Sequence, residues 1–248
     1  MPLIKEFSLQ LYSLRSEADK GIAPMLREVA KVGYTGVEFA GYGGLSAPEM
    51  KKLLTENKLA PVGTHVSITR LNEALDEELA FNKEIGTEYI IVPHLKMDGE
   101  ADVREAAKNL RAIAPKIRAA GFGFAYHNHA HEFAKDASGR YLIDLLSELV
   151  PAEEMDLELD LYWAAYAGAD YLSWMRGKAG RVKLLHIKQI ADFETKKCVD
   201  LDEGVIDFRE IIKVGLELGV LHFILEQEEF AVSPYVSIKK GCEHILSL

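Results

Sequence analysis

Glu132, Asp160, His186 and Glu226 lie at or just beyond the last four short apolar runs of this chain. Glu132 follows Gly123-Phe-Ala-Tyr-His-Asn-His129, and Asp160 ends Met155-Asp-Leu-Glu-Leu-Asp160. His186 sits in Val182-Lys-Leu-Leu-His-Ile-Lys188, and Glu226 ends Phe223-Ile-Leu-Glu226. Three carboxylates and an imidazole suit Mn²⁺, Mg²⁺, Co²⁺ or Zn²⁺ better than a thiolate-preferring ion. A single divalent cation would also relieve the repulsion among Glu132, Asp160 and Glu226, since interior charges are costly unless paired or coordinating.

For one cation to collect all four, the runs that carry them must end at one place. The chain alternates short apolar runs with longer amphipathic ones. The periodicity predicts strands at Phe7 to Leu11, Gly36 to Phe39, Pro61 to His65 and Tyr89 to Pro93, then at Gly123 to His127, Met155 to Asp160, Val182 to Ile187 and Leu221 to Glu226. Helical stripes fall between them. Ile22, Met25, Leu26, Val29 and Ala30 form one, closed by Gly33. Ser46 and Glu49 have capping-box spacing. Val103 to Ile117 forms a long stripe that stops before Gly121. Asp207 with Glu210 opens another helix that Gly219 ends, and Ser233-Pro234 opens the last. Eight strand–helix pairs in 248 residues predict an α/β fold: a (β/α)₈ TIM barrel, one domain over residues 1–248. A doubly wound open sheet is the rival, disfavoured because Leu11-Tyr-Ser-Leu-Arg15 follows the first strand where a dinucleotide fold carries Gly-x-Gly-x-x-Gly.

In such a barrel all strands point the same way, so their carboxyl ends surround one mouth. The expected mouth holds Gln10, Tyr12, Glu38, His65, His94, His127, His129 and Glu132, followed by Asp160, His186, Lys188, Glu226 and Glu228. Five of the eight histidines fall in this set. A mouth of acids, imidazoles, one lysine and aromatics suits a polyhydroxylated ligand around a metal. The plain alternative for His65 and His94 is a place in loops or at the rim.

Several segments resemble the xylose-isomerase-like sugar phosphate isomerase/epimerase superfamily: Leu9-Gln-Leu-Tyr-Ser-Leu-Arg15, Gly33-Tyr-Thr-Gly-Val-Glu38, Tyr126-His-Asn-His-Ala-His-Glu-Phe133, Asp160-Leu-Tyr-Trp-Ala-Ala-Tyr-Ala-Gly168, Leu185-His-Ile-Lys188 and Asp202-Glu-Gly-Val-Ile-Asp-Phe208. The third and fourth are specific to a branch of it. The resemblance spans nearly the whole chain and implies a metal held by Glu, Asp, His and Glu from late strands, matched here by Asp160, His186 and Glu226. The strand-end glutamate of the sugar epimerases falls nearest Tyr126. Glu132 would therefore reach in from the following loop, with His129 as a substitute or extra ligand.

The expected chemistry is proton transfer next to a carbonyl of a sugar or keto-sugar, through an enediolate, as in a metal-dependent isomerase or epimerase. Glu226 and Glu132 would serve as base and acid, and Lys188 would donate to a substrate oxygen. His129 or His65 would orient hydroxyls, and Trp163 would form an apolar wall or core packing. A lyase or dehydratase on a keto-sugar or keto acid shares the first step. An abasic-site endonuclease would need a basic groove, which a net charge of -10 does not favour. A non-catalytic sugar-binding barrel is the remaining class. The loops Gln189 to Glu194 and Gln227 to Ala231 are acidic and glycine-free, favouring a neutral sugar over a phosphorylated one, with Arg15 and Lys96 as the other candidate anchors.

The 48% hydrophobic, 27% charged composition is that of a soluble globular protein. No apolar run is long enough for a bilayer and the N-terminus has no signal-peptide layout, so a cytoplasmic protein with no nucleic-acid or membrane partner is expected. Cys198 and Cys242 read as reduced thiols, a disulfide being the alternative. Tyr162, Tyr166 and Tyr171 read as exposed aromatics and are candidate homo-oligomer contacts.

Overall fold

The computed structural model describes residues 2–248. Eight strands close into a barrel: β1 Ser8–Gln10, β2 Gly36–Phe39, β3 Ala60–His65, β4 Tyr89–Val92, β5 Gly123–His127, β6 Asp156–Asp160, β7 Val182–Ile187 and β8 His222–Leu225. They neighbour one another in chain order, with β8 paired to β1, and every pair is parallel. The (β/α)₈ expectation holds, and all eight strands fall where the apolar runs put them, to within one residue at most ends. The first is shorter than expected at its carboxyl end. Gln10 turns its amide oxygen onto the Tyr12 N–H at 3.0 Å, which starts a 3₁₀ segment over Leu11–Lys20.

The connecting helices are α1 Ile22–Val32, α2 Ala47–Asn57, α3 Ile68–Ile85, α4 Glu100–Ala119, α5 Leu142–Leu149, α6 Leu161–Tyr166, α7 Tyr171–Gly177, α8 Phe208–Leu218 and α9 Pro234–Ser247. Their ends follow local chemistry. The Glu49 carboxylate accepts from the Ser46 N–H at 2.9 Å, completing the box ahead of α2. Asp207 accepts from the Glu210 N–H at 3.1 Å ahead of α8, and Gly33 and Gly219 close α1 and α8 in the left-handed region. A short antiparallel ribbon, Gln189–Ile190 with Cys198–Val199, follows β7.

Two cores follow from side-chain alternation along the strands. One lies between strands and helices and takes in residues from Ile4 to Ile245. The other fills the barrel interior with Val62, Tyr89, Ile91, Ala125, Leu184 and Ile224. Moving toward the carboxyl ends, the next inward positions are polar: Gln10, Glu38, His65, His127, Glu158 and His186, nearly all fully buried. The apolar plug is thus a floor on which a polar layer rests.

Room for that layer comes from Gly63, which stands opposite Glu38 in the β2–β3 register. A Cβ there would lie 2.6 Å from Glu38 Oε2 and 2.7 Å from Ile91 Cδ1. Neither neighbour retreats easily, because Gln10, His65 and His186 hold the Glu38 carboxylate through Oε1 and Ile91 is packed in the floor. Gly63→Ala is therefore expected to cost about 2 kcal/mol of overpacking, read as a drop of about 6 °C in the melting temperature.

Candidate metal centre and barrel mouth

The polar layer is a hydrogen-bonded chain across the barrel. Gln10 Nε2 donates to Glu38 Oε1 at 2.7 Å. The same oxygen lies 2.8 Å from His186 Nε2 and 3.0 Å from His65 Nε2. His65 Nε2 also reaches Glu158 Oε2 at 2.8 Å, and His127 Nδ1 meets that oxygen at 3.0 Å. Burial would raise both carboxyls, but the neighbouring imidazoles outweigh it, holding Glu38 well below the usual range and Glu158 at about 2. Burial lowers His65, and Glu38 and Glu158 more than offset it, lifting the imidazole to about 10. His186 is raised for the same reason, whereas burial keeps His127 neutral.

Above this layer three donors face one another. Asp160 and His186 are register partners across β6 and β7, so their inward side chains are adjacent. Glu226 joins them because its N–H continues the β8–β7 ladder onto Ile187 O at 3.1 Å. Donor atoms of Asp160, His186 and Glu226 lie within 4.8 Å of one another, and all three residues are buried. His186 Nδ1 is 3.3 Å from Glu226 Oε2 and 3.9 Å from Asp160 Oδ2, while its Nε2 is committed to Glu38. A carboxylate on the far nitrogen is the arrangement that fixes the tautomer of a metal-ligating imidazole. Asp160 Oδ1 is held by the Trp163 N–H at 3.0 Å, yet Oδ2 is buried with no hydrogen-bond partner. An orphaned carboxylate oxygen facing a carboxylate and an imidazole nitrogen fits a divalent cation, in donor type and in charge.

Lys188 is the resident positive charge. Its fully buried ammonium lies 3.4 Å from Glu226 Oε2 and 3.9 Å from Asp160 Oδ2, and it bonds Glu228 closely. It sits 4.9 Å from the ring centroids of both Tyr162 and Trp163. Burial pushes the Asp160 carboxyl up to about 7 against the pull of Lys188. Burial acts on Glu226 too, but Lys188 and His186 outweigh it and hold that carboxylate low.

Over these groups opens a cavity of about 400 Å³, lined by Tyr12, His65, His94, His127, His129, Glu226 and Glu228 among others. His129 Nδ1 is buried without a partner, and burial, with His94 and Lys188 nearby, lowers that imidazole to about 3. Trp163 lies tilted beside His129 at 5.4 Å between centroids and packs against the core between strands and helices. Tyr12 and His94 stand exposed at the rim.

Glu132 does not join the group. Its Oε1 accepts from the Tyr126 hydroxyl at 2.7 Å, and its Oε2 accepts from the His129 N–H at 2.8 Å and lies 3.3 Å from His131 Nδ1. Both oxygens are spent on the backbone and side chains of their own loop, a 3₁₀ turn over His131–Phe133. That carboxylate braces the segment carrying His129. Three of the four anticipated ligands converge and the fourth acts one step back.

A family model described as a xylose isomerase-like TIM barrel matches residues 26–247. The chain belongs to this family.

Its xylose isomerase-like relatives carry more than one activity. An inosose dehydratase of Geobacillus kaustophilus is 22% identical over 265 residues, covering 89% of this chain and 85% of that one. A sugar phosphate isomerase/epimerase from Parabacteroides distasonis superimposes with a TM-score of 0.83 at 24% identity, covering 97% of this chain and 93% of that one. A probable 3-DHS dehydratase of Bacillus anthracis gives a TM-score of 0.77 at 14% identity, with 96% and 97% covered. At these identities the superpositions speak for the fold alone.

Within this xylose isomerase-like barrel, two residues of the site escaped the sequence reading. Glu158 is two positions before Asp160 on β6, so strand alternation alone puts it on the same inward face; acids alternating with apolar residues in Asp156-Leu-Glu-Leu-Asp160 were the available signal. Asn128, inside the Tyr-His-Asn-His segment, clamps Asp160. Its Oδ1 accepts from the Asp160 N–H at 3.0 Å and its Nδ2 donates to Asp160 O at 3.3 Å. The tyrosines are a correction. Tyr162 is buried, its hydroxyl donating to Lys196 O at 2.9 Å, and Tyr171 is half-buried; of the three only Tyr166 is exposed. Cys198 and Cys242 are both free and buried. Among the described residues no helix is long and apolar enough to cross a membrane.

Proposed function

We propose that this chain is a metal-dependent enzyme that moves a proton next to the carbonyl of a neutral sugar or keto-sugar, as a sugar isomerase or epimerase. The observation that carries this reading is the buried triad of Asp160, His186 and Glu226, with Asp160 Oδ2 unpartnered, beneath a sugar-sized cavity. These three residues would hold the cation. The chemistry it supplies when bound is polarisation of a substrate carbonyl, which acidifies the neighbouring C–H.

The remaining roles fall to the chain's own side chains. Glu226 lines the cavity as a carboxylate and is the base. While Lys188 donates to it, its proton affinity is low. Once the ammonium turns to a substrate oxygen that pull is released, and the carboxylate becomes a better acceptor for the α-proton. Lys188 then faces the charge developing on the enediolate oxygen. His129, neutral and with Nδ1 free, donates or accepts a hydrogen bond to a substrate hydroxyl, as a neutral imidazole can. Glu132 keeps the His129 backbone in place and leaves the acid–base pairing first assigned to it. His65 and His127 shape the cavity wall, Trp163 backs the Lys188 ammonium, and Gln10 and Glu38 hold the polar layer.

A neutral substrate is favoured because neither anchor first considered is free. Arg15 donates to Tyr12 O and Glu228 O and stacks on the Tyr12 ring, while Lys96 pairs with Asp98 and Asp102 at the surface. The dehydratase reading shares the proton abstraction and differs in whether a β-hydroxyl then departs; the inosose dehydratase relative favours it as the second reading. Incubating metal-loaded protein with ketoses, aldoses and 3-keto sugars in D₂O tests both. Deuterium incorporated at one carbon adjacent to a carbonyl is the expected proton NMR result, and loss of water from the same substrate would select the dehydratase. No exchange and no turnover across the panel would reject the proton-transfer reading.

A further inference from the structure

The structure assigns a second cation site, deeper than the first, to His65, His127 and Glu158, and we propose that it takes a Zn²⁺-type divalent ion. One donor atom from each of His65, His127, Glu158 and His186 lies within 4.8 Å of all the others. His65 Nε2 and His127 Nδ1 both point at Glu158 Oε2, at 2.8 and 3.0 Å. Tetrahedral zinc with nitrogen and oxygen ligands has ligand–ligand edges of about 3.3 Å, so each imidazole nitrogen need move only a few tenths of an ångström from Glu158 Oε2. Glu158 is 1% exposed, and its Oε1 has no hydrogen-bond partner. His186 Nε2 lies 3.4 Å from that oxygen but closer to Glu38, at 2.8 Å, whereas His65 Nε2 is closer to Glu158, at 2.8 Å, than to Glu38, at 3.0 Å.

Charge favours the same assignment. Glu38 and Glu158 place two carboxylates in the barrel interior, and their only ion-pair partners among the described residues are imidazoles. A dication held by His65, His127 and Glu158 would take over that pairing from a protonated imidazole. His186 cannot serve as a neutral ligand to two ions at once. Its Nδ1 faces the outer pair Asp160 and Glu226 and its Nε2 stays with Glu38, which leaves the inner ion two imidazoles and one carboxylate. That is the protein ligand count of a catalytic zinc, three donors with a fourth position open. The open position has a route to solvent, because His65 and His127 both line the cavity.

The test is metal stoichiometry on chelator-stripped protein, titrated with Zn²⁺ by calorimetry and by competition with a chromophoric chelator. Wild type should bind two equivalents and Asp160→Asn one. Adding Glu158→Gln to Asp160→Asn should remove that last equivalent while the far-ultraviolet circular dichroism stays native. His65→Gln in the same background gives a second reading should Glu158→Gln fail to fold. One equivalent in wild type and none in Asp160→Asn would overturn the inner site, as would an equivalent that survives both Glu158→Gln and His65→Gln. Failure of the outer triad is distinguishable, since Asp160→Asn would then bind as much Zn²⁺ as wild type while Glu158→Gln alone lost an equivalent.

Discussion

Glu226→Gln should fold like the wild type and lose substrate deuterium exchange by about 10³-fold, the scale of a removed general base and about 4 kcal/mol of barrier. The substitution is isosteric, and the buried Lys188 keeps Glu228 as a partner, so the barrel has no reason to rearrange. What is lost is the one carboxylate that is a wall of the cavity, a neighbour of His186 Nδ1 and a partner of Lys188 together. Metal affinity should fall as well, because one of three donors is replaced by a weaker one. Stripped protein titrated with Mn²⁺ separates the two effects: exchange measured at saturating metal isolates the base. Wild-type exchange in that variant at saturating Mn²⁺ would remove Glu226 from the proton transfer.

Lys188→Met makes the opposite kind of cut, removing the internal cation and leaving the carboxylates. Asp160 and Glu226 are then buried without their ammonium neighbour, and deleting one partner of a buried ion pair costs about 3 kcal/mol. A divalent ion at the same carboxylates supplies the missing charge. The variant should therefore be markedly less stable than wild type in a chelator and recover most of the difference in excess Mn²⁺. At a thousandfold excess over its dissociation constant a metal ion contributes about 4 kcal/mol to the state that binds it, enough to offset the loss. Thermal melts of both proteins with and without Mn²⁺ read this directly. An equal metal-induced shift in the two would show that the ion and Lys188 do not share the carboxylates. Turnover should stay low in the rescued variant, since the donor to the substrate oxygen is gone.

The barrel was legible because its signals are local and repeated. Gly36 to Phe39, Gly123 to His127 and Val182 to Ile187 are apolar runs bounded by turns and stripes, and each is a strand as read. Asp160, His186 and Glu226 were legible for a related reason: in a parallel barrel, closure places strand ends together whatever the register details. Glu132 fails that logic because it sits five residues past the end of β5, where loop geometry rather than strand direction decides what a side chain meets. There the Tyr126 hydroxyl and the His129 N–H meet it first. Glu158 was hidden for the converse reason. It lies inside a strand, where an acid reads as a misfit until the facing imidazoles of His65 and His127 are seen, and those come from strands more than thirty residues earlier in the chain. Tyr162 was misjudged as exposed because its short helix folds back over Lys188 beneath the ribbon that follows β7.

The most direct measurement is an anomalous difference map from crystals grown with Mn²⁺, recorded on the high-energy side of the manganese edge. A peak bounded by Asp160 Oδ2, His186 Nδ1 and Glu226 Oε2, with Lys188 displaced toward Glu228, is the predicted result. Density showing Lys188 still between the two carboxylates, and no anomalous signal beside His186 Nδ1, would contradict the metal centre on which the proposed chemistry depends.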